Sequence, residues 1–205
     1  RNESSVIINV ILQLIIKNLP GYVDAGMLDI QVLSPMRKGE LGVENLNIQL
    51  QKYINPPSPA KPEILFRETV FREGDKVMQI KNNYQTPWER RGYHGVLIEE
   101  GTGVFNGDSG IIRRVDPEIN EITVEFEDNK YVVYQYGSLE ELELAYAITV
   151  HKSQGSEYPA VIIPLLTGSS LLLHRNLLYT AVTRAKKCVT IVGMKDTVNY
   201  MIENE

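Results

Sequence analysis

AYAITVHKSQGSEYPAVIIPL, residues 145–165, decides how this chain folds. Ala145–Thr149 and Ala160–Leu165 are apolar with no polar alternate position. That is the pattern of strands buried on both faces, and it belongs to α/β sheets covered by helices on either side. The residues between them are polar, so they sit on the connection leaving a buried strand, the edge at which open α/β sheets bind ligands. Thr149 is placed to cap a short helix whose free N–H groups would face an anion such as a phosphate, with His151 and Lys152 alongside. Gly155 ends the turn at a position expected to have positive φ, which glycine adopts without steric cost. Glu157 then projects a carboxylate, an acceptor suited to a sugar hydroxyl. The same residues also suit an ordinary solvated connection, and the pattern alone does not separate the two readings.

Downstream, Arg175 to Lys187 reads as a helix feeding an apolar strand, Cys188 to Val192, and Asp196 to Ile202 as a short helix. Upstream, Ser4 or Ser5 can cap a helix that runs to about Asn18 and is stopped by Pro20-Gly21. Its apolar residues cover more than one face, so it is expected to be covered on several sides. The run Val6–Ile16 contains Asn9 and Gln13 and falls far short of the ~20 residues that cross a bilayer, so it reads as a core helix. Leu28–Leu33 is a strand broken by Ser34-Pro35. A basic, glycine-containing loop (36–42) then leads to a helix from about Val43 to Tyr53, with Leu46 and Leu50 on one face. Arg37 lies at the strand's exit, from which an arginine can reach a nucleotide at the sheet edge.

The proline-rich stretch Asn55–Pro62 marks a boundary, because beyond it the texture changes. Short strands at Lys76–Ile80, Gly110–Val115, Ile122–Glu127 and Tyr131–Tyr136, separated by Asn, Gly and Asp turns, indicate a small antiparallel barrel. Asp108 in NGDSG is turn chemistry ahead of any catalytic or metal role. Thr86–Gly103, with Trp88, Arg90, Arg91, Tyr93 and His94, reads as a long irregular excursion. It could stack single-stranded bases, and equally could be a mobile loop or a partner surface. Glu140, Glu141 and Glu143 read as a solvated face.

With 43% hydrophobic residues in 205, the chain has material for one large or two small cores. A formal net charge of -5 argues against a protein that coats a polyanion, though not against one that grips a few phosphates at a time. Basic residues gather locally at Lys81, Arg90, Arg91 and His94, at Arg113 and Arg114, and at Arg184, Lys186 and Lys187, where a solvated face is the ordinary reading. The single cysteine, Cys188, leaves no internal disulfide and suits a reducing cytoplasm; its apolar surroundings predict a buried thiol. No signal peptide is visible and the first residue is arginine, so the sequence is expected to be cut from something longer.

Four separated motifs carry a resemblance. TVHKSQGSE (149–157) resembles motif V of superfamily 1 helicases, and NLLYTAVTRAKKCVTIVG (176–193) resembles their motif VI, in the same order. SPMRKGELGVENLNIQLQ (34–51) resembles motif IV of the RecD-like branch, and FREGDKVMQIKNNY (71–84) with VFNGDSG (104–110) resembles that branch's signature. Over nearly its whole length the chain resembles the C-terminal half of a RecD-like, 5′-to-3′ DNA helicase, the family of the exodeoxyribonuclease V alpha subunit.

That resemblance implies an α/β, RecA-like domain of the P-loop-NTPase type in two parts, 1–72 and 143–205, with an SH3-like β-barrel inserted at 73–142. It implies ATP with Mg2+, held mainly by a preceding RecA-like domain. No G-x-x-x-x-G-K-[ST] phosphate loop occurs in this sequence, so the fragment is not expected to hydrolyse ATP alone. Arg184 is similar to the motif VI arginine that reaches the γ-phosphate, a role its planar, always charged fork suits. Arg37 would be a second γ-phosphate contact, Gly155, Glu157 and Gln154 would lie near the nucleotide, and Thr149, His151 and Lys152 would hold the DNA backbone. No metal-ligand set is implied. The implied partners are single-stranded or duplex DNA, the preceding domain and other repair proteins; no membrane is implied. Alternatives are a non-catalytic DNA- or protein-binding adaptor, the helicase part of a conjugative relaxase, and a nuclease-complex subunit.

Overall fold

The computed structural model describes residues 3–166 and 174–204. In chain order the elements are α1 (Glu3–Gln13), a π-helical turn (Leu14–Asn18), α2 (Leu19–Val23), β1 (Ile30–Ser34), α3 (Val43–Ile54), β2 (Glu63–Phe66), β3 (Thr69–Arg72), β4 (Lys76–Gln79), β5 (Asn83–Arg91) and β6 (Leu97–Val104). They continue with β7 (Ser109–Asp116), β8 (Glu121–Phe126), β9 (Lys130–Gln135), β10 (Leu142–Leu144), β11 (Ala147–Thr149), β12 (Tyr158–Leu165), α4 (Arg175–Val182), β13 (Ala185–Gly193) and α5 (Lys195–Glu203). The chain divides into two compact units, residues 1–54 with 146–205, and residues 55–145. The division falls at the start of the proline-rich connector, so the second unit reaches further on both sides than 73–142.

The first unit is built on a parallel four-stranded sheet of order β11-β1-β12-β13. Every residue of β1 is buried, as is β12 from Ala160 to Leu165. Removing the isoleucine, valine and leucine side chains among them from water stabilises by about 1.5–3 kcal/mol each. α3 lays Leu46, Asn47, Leu50 and Gln51 inward. Asn47 takes over the outer edge of β11: Ala147 N donates to its Oδ1 at 2.8 Å and its Nδ2 donates to Ala147 O at 3.0 Å. A polar side chain thus completes a buried strand edge that would otherwise lose its hydrogen bonds.

The first helix differs from expectation. It does not end near Asn18; helical structure runs from Glu3 to Val23, because Pro20 sits in the first turn of α2, where its missing N–H costs nothing. Ser4 and Ser5 lie inside α1, and Ser4 Oγ donates to Glu40. At 21 residues the run is apolar and long enough to cross a membrane by length and composition. Here it packs along β12 and β13, burying Ile7, Ile11, Ile15, Leu19 and Val23. The opposite face, expected to be covered, leaves Val6, Val10 and Ile16 exposed. The C-terminal carbonyl of α2 is met by Lys187, whose Nζ donates to Val23 O at 2.6 Å. α4 ends at Val182, shorter than the helix expected to reach Lys187, and β13 begins already at Ala185. As an edge strand, β13 leaves Cys188 half-buried and not fully enclosed.

The second unit holds a seven-stranded antiparallel sheet of order β10-β4-β7-β8-β9-β5-β6 and the β2-β3 hairpin. Alternate residues Ile122, Val124 and Phe126 of β8 and Val132 and Tyr134 of β9 point into its core. Burial raises the Tyr134 phenol well above its usual range, and its Oη donates to Gln79 Oε1 at 2.8 Å. Gln79 Nε2 in turn donates to Glu141 Oε2 at 2.8 Å, so Glu141 belongs to this network and not to a solvated face. Asp75, fully buried, accepts from Asn55 Nδ2 at 2.8 Å and from Arg72 N at 2.7 Å. The Arg72 guanidinium donates to Asn55 O at 2.6 Å and to Glu63 at 2.7 Å. No pattern in the sequence announces this closed polar knot. Asp108 caps its turn, accepting from Phe105 N at 2.9 Å. The stretch expected to be irregular, Thr86–Gly103, is most of the β5-β6 hairpin, whose pairing is bulged at Ile98. Its charged and aromatic residues hide the strand alternation, and the Trp88 ring lies so close over Gly101 that an added Cβ would come within 2.5 Å.

Candidate functional site

The register of the parallel sheet shows where the connection after β11 goes. Thr149, the last residue of β11, is level with Ser34, the last of β1; Ala160, two residues into β12, is level with Ile30, the first. Residues 150–157 therefore run back along the sheet, roughly 20 Å at ~3.3 Å per residue, from the carboxyl edge of the strands to the amino edge. The polar residues singled out from the sequence fall into two groups, one at each end of this strap.

At the carboxyl edge, Val150 N donates to Ser34 O at 3.2 Å and starts a single 3-10 turn, His151–Ser153. Thr149 Oγ1 accepts from Lys152 N at 3.4 Å, which partly caps the turn. Ser153 is buried and its Oγ donates to Val150 O at 2.6 Å, locking the turn to the strand end. His151 is left exposed and Lys152 half-buried beside it. Arg37 lies on this edge too, in the loop between β1 and α3. Its Nε pairs with Glu44 at 3.2 Å, with both side chains about half exposed (51% and 50%).

At the amino edge, Gly155 adopts φ +85 with nothing within 4 Å of where a Cβ would stand. The backbone therefore demands glycine through conformation and leaves open space in front of it. Tyr158 N donates to Arg184 O at 2.8 Å, joining the starts of β12 and β13. The Arg184 side chain folds back on its own helix and on the strap: Nε donates to Thr180 O at 3.3 Å, Nη1 to Ser156 O at 3.4 Å and Nη2 to Thr183 Oγ1 at 3.2 Å. Lys186 reaches the Glu157 carboxylate at 3.6 Å, both well exposed. Gln154 and Glu157 point to solvent. The structure thus brings Gly155, Glu157 and Arg184 to one rim of the sheet, while Arg37 stands at the opposite rim with Thr149, His151 and Lys152. Arg37 and Arg184, expected to share one phosphate, are not brought together.

These two rims are held in place by Asn47, by Ser153 and Ser156, which carry no sequence signal of their own, and by Lys186, expected on a solvated face. Asn47 was within reach, because it continues the Leu46/Leu50 stripe as a polar residue on a core-facing helix. The other basic clusters proved less available than their sequence suggests. Lys81 pairs with Glu140 at 2.7 Å, Arg90 with Glu99 at 2.6 Å, Arg91 with Glu89 at 3.0 Å, Arg114 with Asp116 at 2.9 Å, and Arg113 with Glu125.

Residues 46–126 match the SH3 domain of ATP-dependent RecD-like DNA helicases, and residues 144–192 match the C-terminal domain of UvrD-like helicases. The two matches, in this order, are those of the C-terminal part of a RecD-like helicase. The ATP-dependent RecD2 DNA helicase of Deinococcus radiodurans is 38% identical over 158 residues, covering 77% of this chain and 19% of that protein. The RecBCD enzyme subunit RecD of Mycolicibacterium smegmatis is 29% identical over 175 residues, covering 85% of this chain and 27% of that protein. The chain thus spans about a fifth to a quarter of the length of these relatives. In fold it is similar to a Pif1 helicase from Bacteroides solved with ADP-AlF3 and ssDNA, with a TM-score of 0.53 at 18% identity over 100% of this chain and 52% of that one. Its architecture is an α/β, RecA-like parallel sheet with an inserted antiparallel SH3-like domain.

Proposed function

We propose that this chain is the part of an ATP-dependent, 5′-to-3′ DNA helicase of recombination or repair that carries the arginine finger and part of the single-strand grip. The protein would work in the cytoplasm, with ATP and Mg2+ bound mainly by a preceding RecA-like domain and with other repair proteins as partners. One observation carries this reading: the strap 150–157 ties a basic, hydroxyl-bearing rim to a rim holding Gly155, Glu157 and Arg184.

A motor needs that link. Whatever moves the amino rim when a nucleotide is bound or released is transmitted through a short, buried-anchored connection to the carboxyl rim. Arg184 suits the finger because its present hydrogen bonds are long and weak, whereas a charge-assisted, bidentate bond to a phosphate is short and strong. Gly155 offers an open backbone for close approach, and Glu157 with Gln154 offers polar groups to a ribose. Lys186 would fix the Glu157 carboxylate. On the other rim, Thr149, His151 and Lys152 would hold the DNA backbone, with Arg37 on the same rim beside them.

The test is strand displacement by the full-length protein on duplexes with a 5′ or a 3′ single-stranded tail, with ATP turnover followed in parallel. Unwinding of the 5′-tailed substrate supports the reading. DNA-independent turnover, or none on either tail, favours the adaptor alternative.

A further inference from the structure

β6 closes the seven-stranded sheet on one side and pairs with β5 alone. Among the described residues no other element hydrogen-bonds to the backbone of 97–102, so six residues of strand present an open edge. Natural edge strands are guarded by lysines, prolines or bulges turned outward. β6 carries no lysine and no proline, its one bulge, at Ile98, lies beside the hairpin turn, and apolar side chains cluster there: Tyr93, Val96, Leu97 and Ile98 are 88%, 62%, 52% and 66% exposed.

Charge narrows what such an edge could take. Within residues 83–104 two arginines stand against three glutamates, a balance of 2 − 3 = −1. Both arginines are engaged, Arg90 with Glu99 and over the Trp88 ring, Arg91 with Glu89 and over the Tyr131 ring. Glu100 is paired in register with Glu89, a like-charge cross-strand pair. Arg91 serves Glu89, and among the described residues Glu100 forms no ion pair. A phosphate backbone is repelled by this arrangement. A second copy of β6 laid antiparallel would crowd Glu99 and Glu100 of both strands within about two rows of each other.

We propose that the outer edge of β6 is a strand-addition site for an extended segment of a partner protein that alternates apolar and basic residues. Backbone hydrogen bonds along 97–102 give the affinity, Leu97 and Ile98 take apolar side chains, and Glu100 takes a lysine or arginine of the incoming strand.

The experiment uses the full-length protein and two fluorescent synthetic peptides, (Val-Lys)4 and (Val-Glu)4, read by anisotropy and by amide hydrogen exchange at residues 97–102. The lysine peptide is expected to bind at least tenfold more tightly than the glutamate peptide and to slow exchange along β6. Glu100→Lys should invert that preference, and Ile98→Lys should weaken both peptides, with DNA-stimulated ATP turnover unchanged. Leu65→Lys, at another exposed apolar position, should do nothing. Equal binding of the two peptides overturns the proposal. So does protection of β6 by (dT)20, which marks a nucleic-acid surface, or a concentration-dependent doubling of mass that Ile98→Lys abolishes, which marks a second copy.

Discussion

Replacing Arg184 by alanine in the full-length protein separates a chemical role from a structural one. The guanidinium's hydrogen bonds, at 3.2 to 3.4 Å, lie at the long end of the range, and each contributes no more than about 1 kcal/mol. Their acceptors are two carbonyls and a hydroxyl on a half-buried rim, which water can reach once the side chain is gone. The stability lost is therefore about 1–2 kcal/mol, a fall in Tm of roughly 2–8 °C for a domain of this size. An arginine that meets a γ-phosphate is worth ~10³ to 10⁵ in turnover, or about 4–7 kcal/mol. The two roles thus differ by several kcal/mol, enough for one assay to tell them apart. At saturating single-stranded DNA and ATP, phosphate release should fall by about 10³ or more, with DNA affinity within a few-fold and only the small change in Tm. Arg184→Lys keeps the charge but not the planar fork, and should restore little. Turnover within tenfold of the parent protein in Arg184→Ala refutes the finger and leaves Arg184 as a helix-end residue.

Thr149→Ala with His151→Ala should weaken single-strand binding while sparing turnover at saturating DNA. Lys152→Ala should lower the slope of log affinity against log salt by about 0.7 if that ammonium holds a phosphate, and an unchanged slope removes it from the grip. Asp75→Ala leaves the buried Arg72 backbone N–H and the Asn55 amide short of an acceptor, so denaturant unfolding should show a loss of about 2 kcal/mol or more; a loss under 1 kcal/mol means that water fills the site. Gly155→Ala meets no atom and should cost only about 1 kcal/mol through its positive φ, whereas a Cβ at Gly193 would stand 1.8 Å from Leu165 O, so Gly193→Ala should fail to fold. The buried Tyr134 phenol is raised from 10.0, so the folded state stays protonated where the unfolded chain ionises. Its stabilisation is complete below pH 10 and is lost as pH rises further; Tyr134→Phe should flatten that alkaline decline, and an unchanged profile would contradict the burial.

Much of the fold was legible because a few patterns admit few solutions. Consecutive apolar residues at Ala160–Leu165 leave no wet face, so the strand had to be covered on both sides. The proline-rich connector and the Asn-Gly turns announced a second, antiparallel unit. The β5-β6 hairpin escaped because cross-strand ion pairs such as Arg90 with Glu99 keep both faces polar, which erases the period-two signal. The end of the first helix escaped because proline interrupts a helix interior yet is welcome in a first turn, and only the observed π-helical turn shows which applies.

For the site, the sequence by itself determined residue types and local geometry: a glycine that must take positive φ at Gly155, a capping hydroxyl at Thr149, a strand exit at Arg37. These depend on neighbours in the chain and on backbone sterics, which sequence carries. Which of them face one another is a property of strand register, and register is set by contacts between β1, β11, β12 and β13 that lie far apart in the chain. Only the tertiary structure could divide the polar residues between two rims, set Arg184 beside Gly155 and Glu157, and send Arg37 to the other edge, because a parallel strand order fixes where each connection begins and ends.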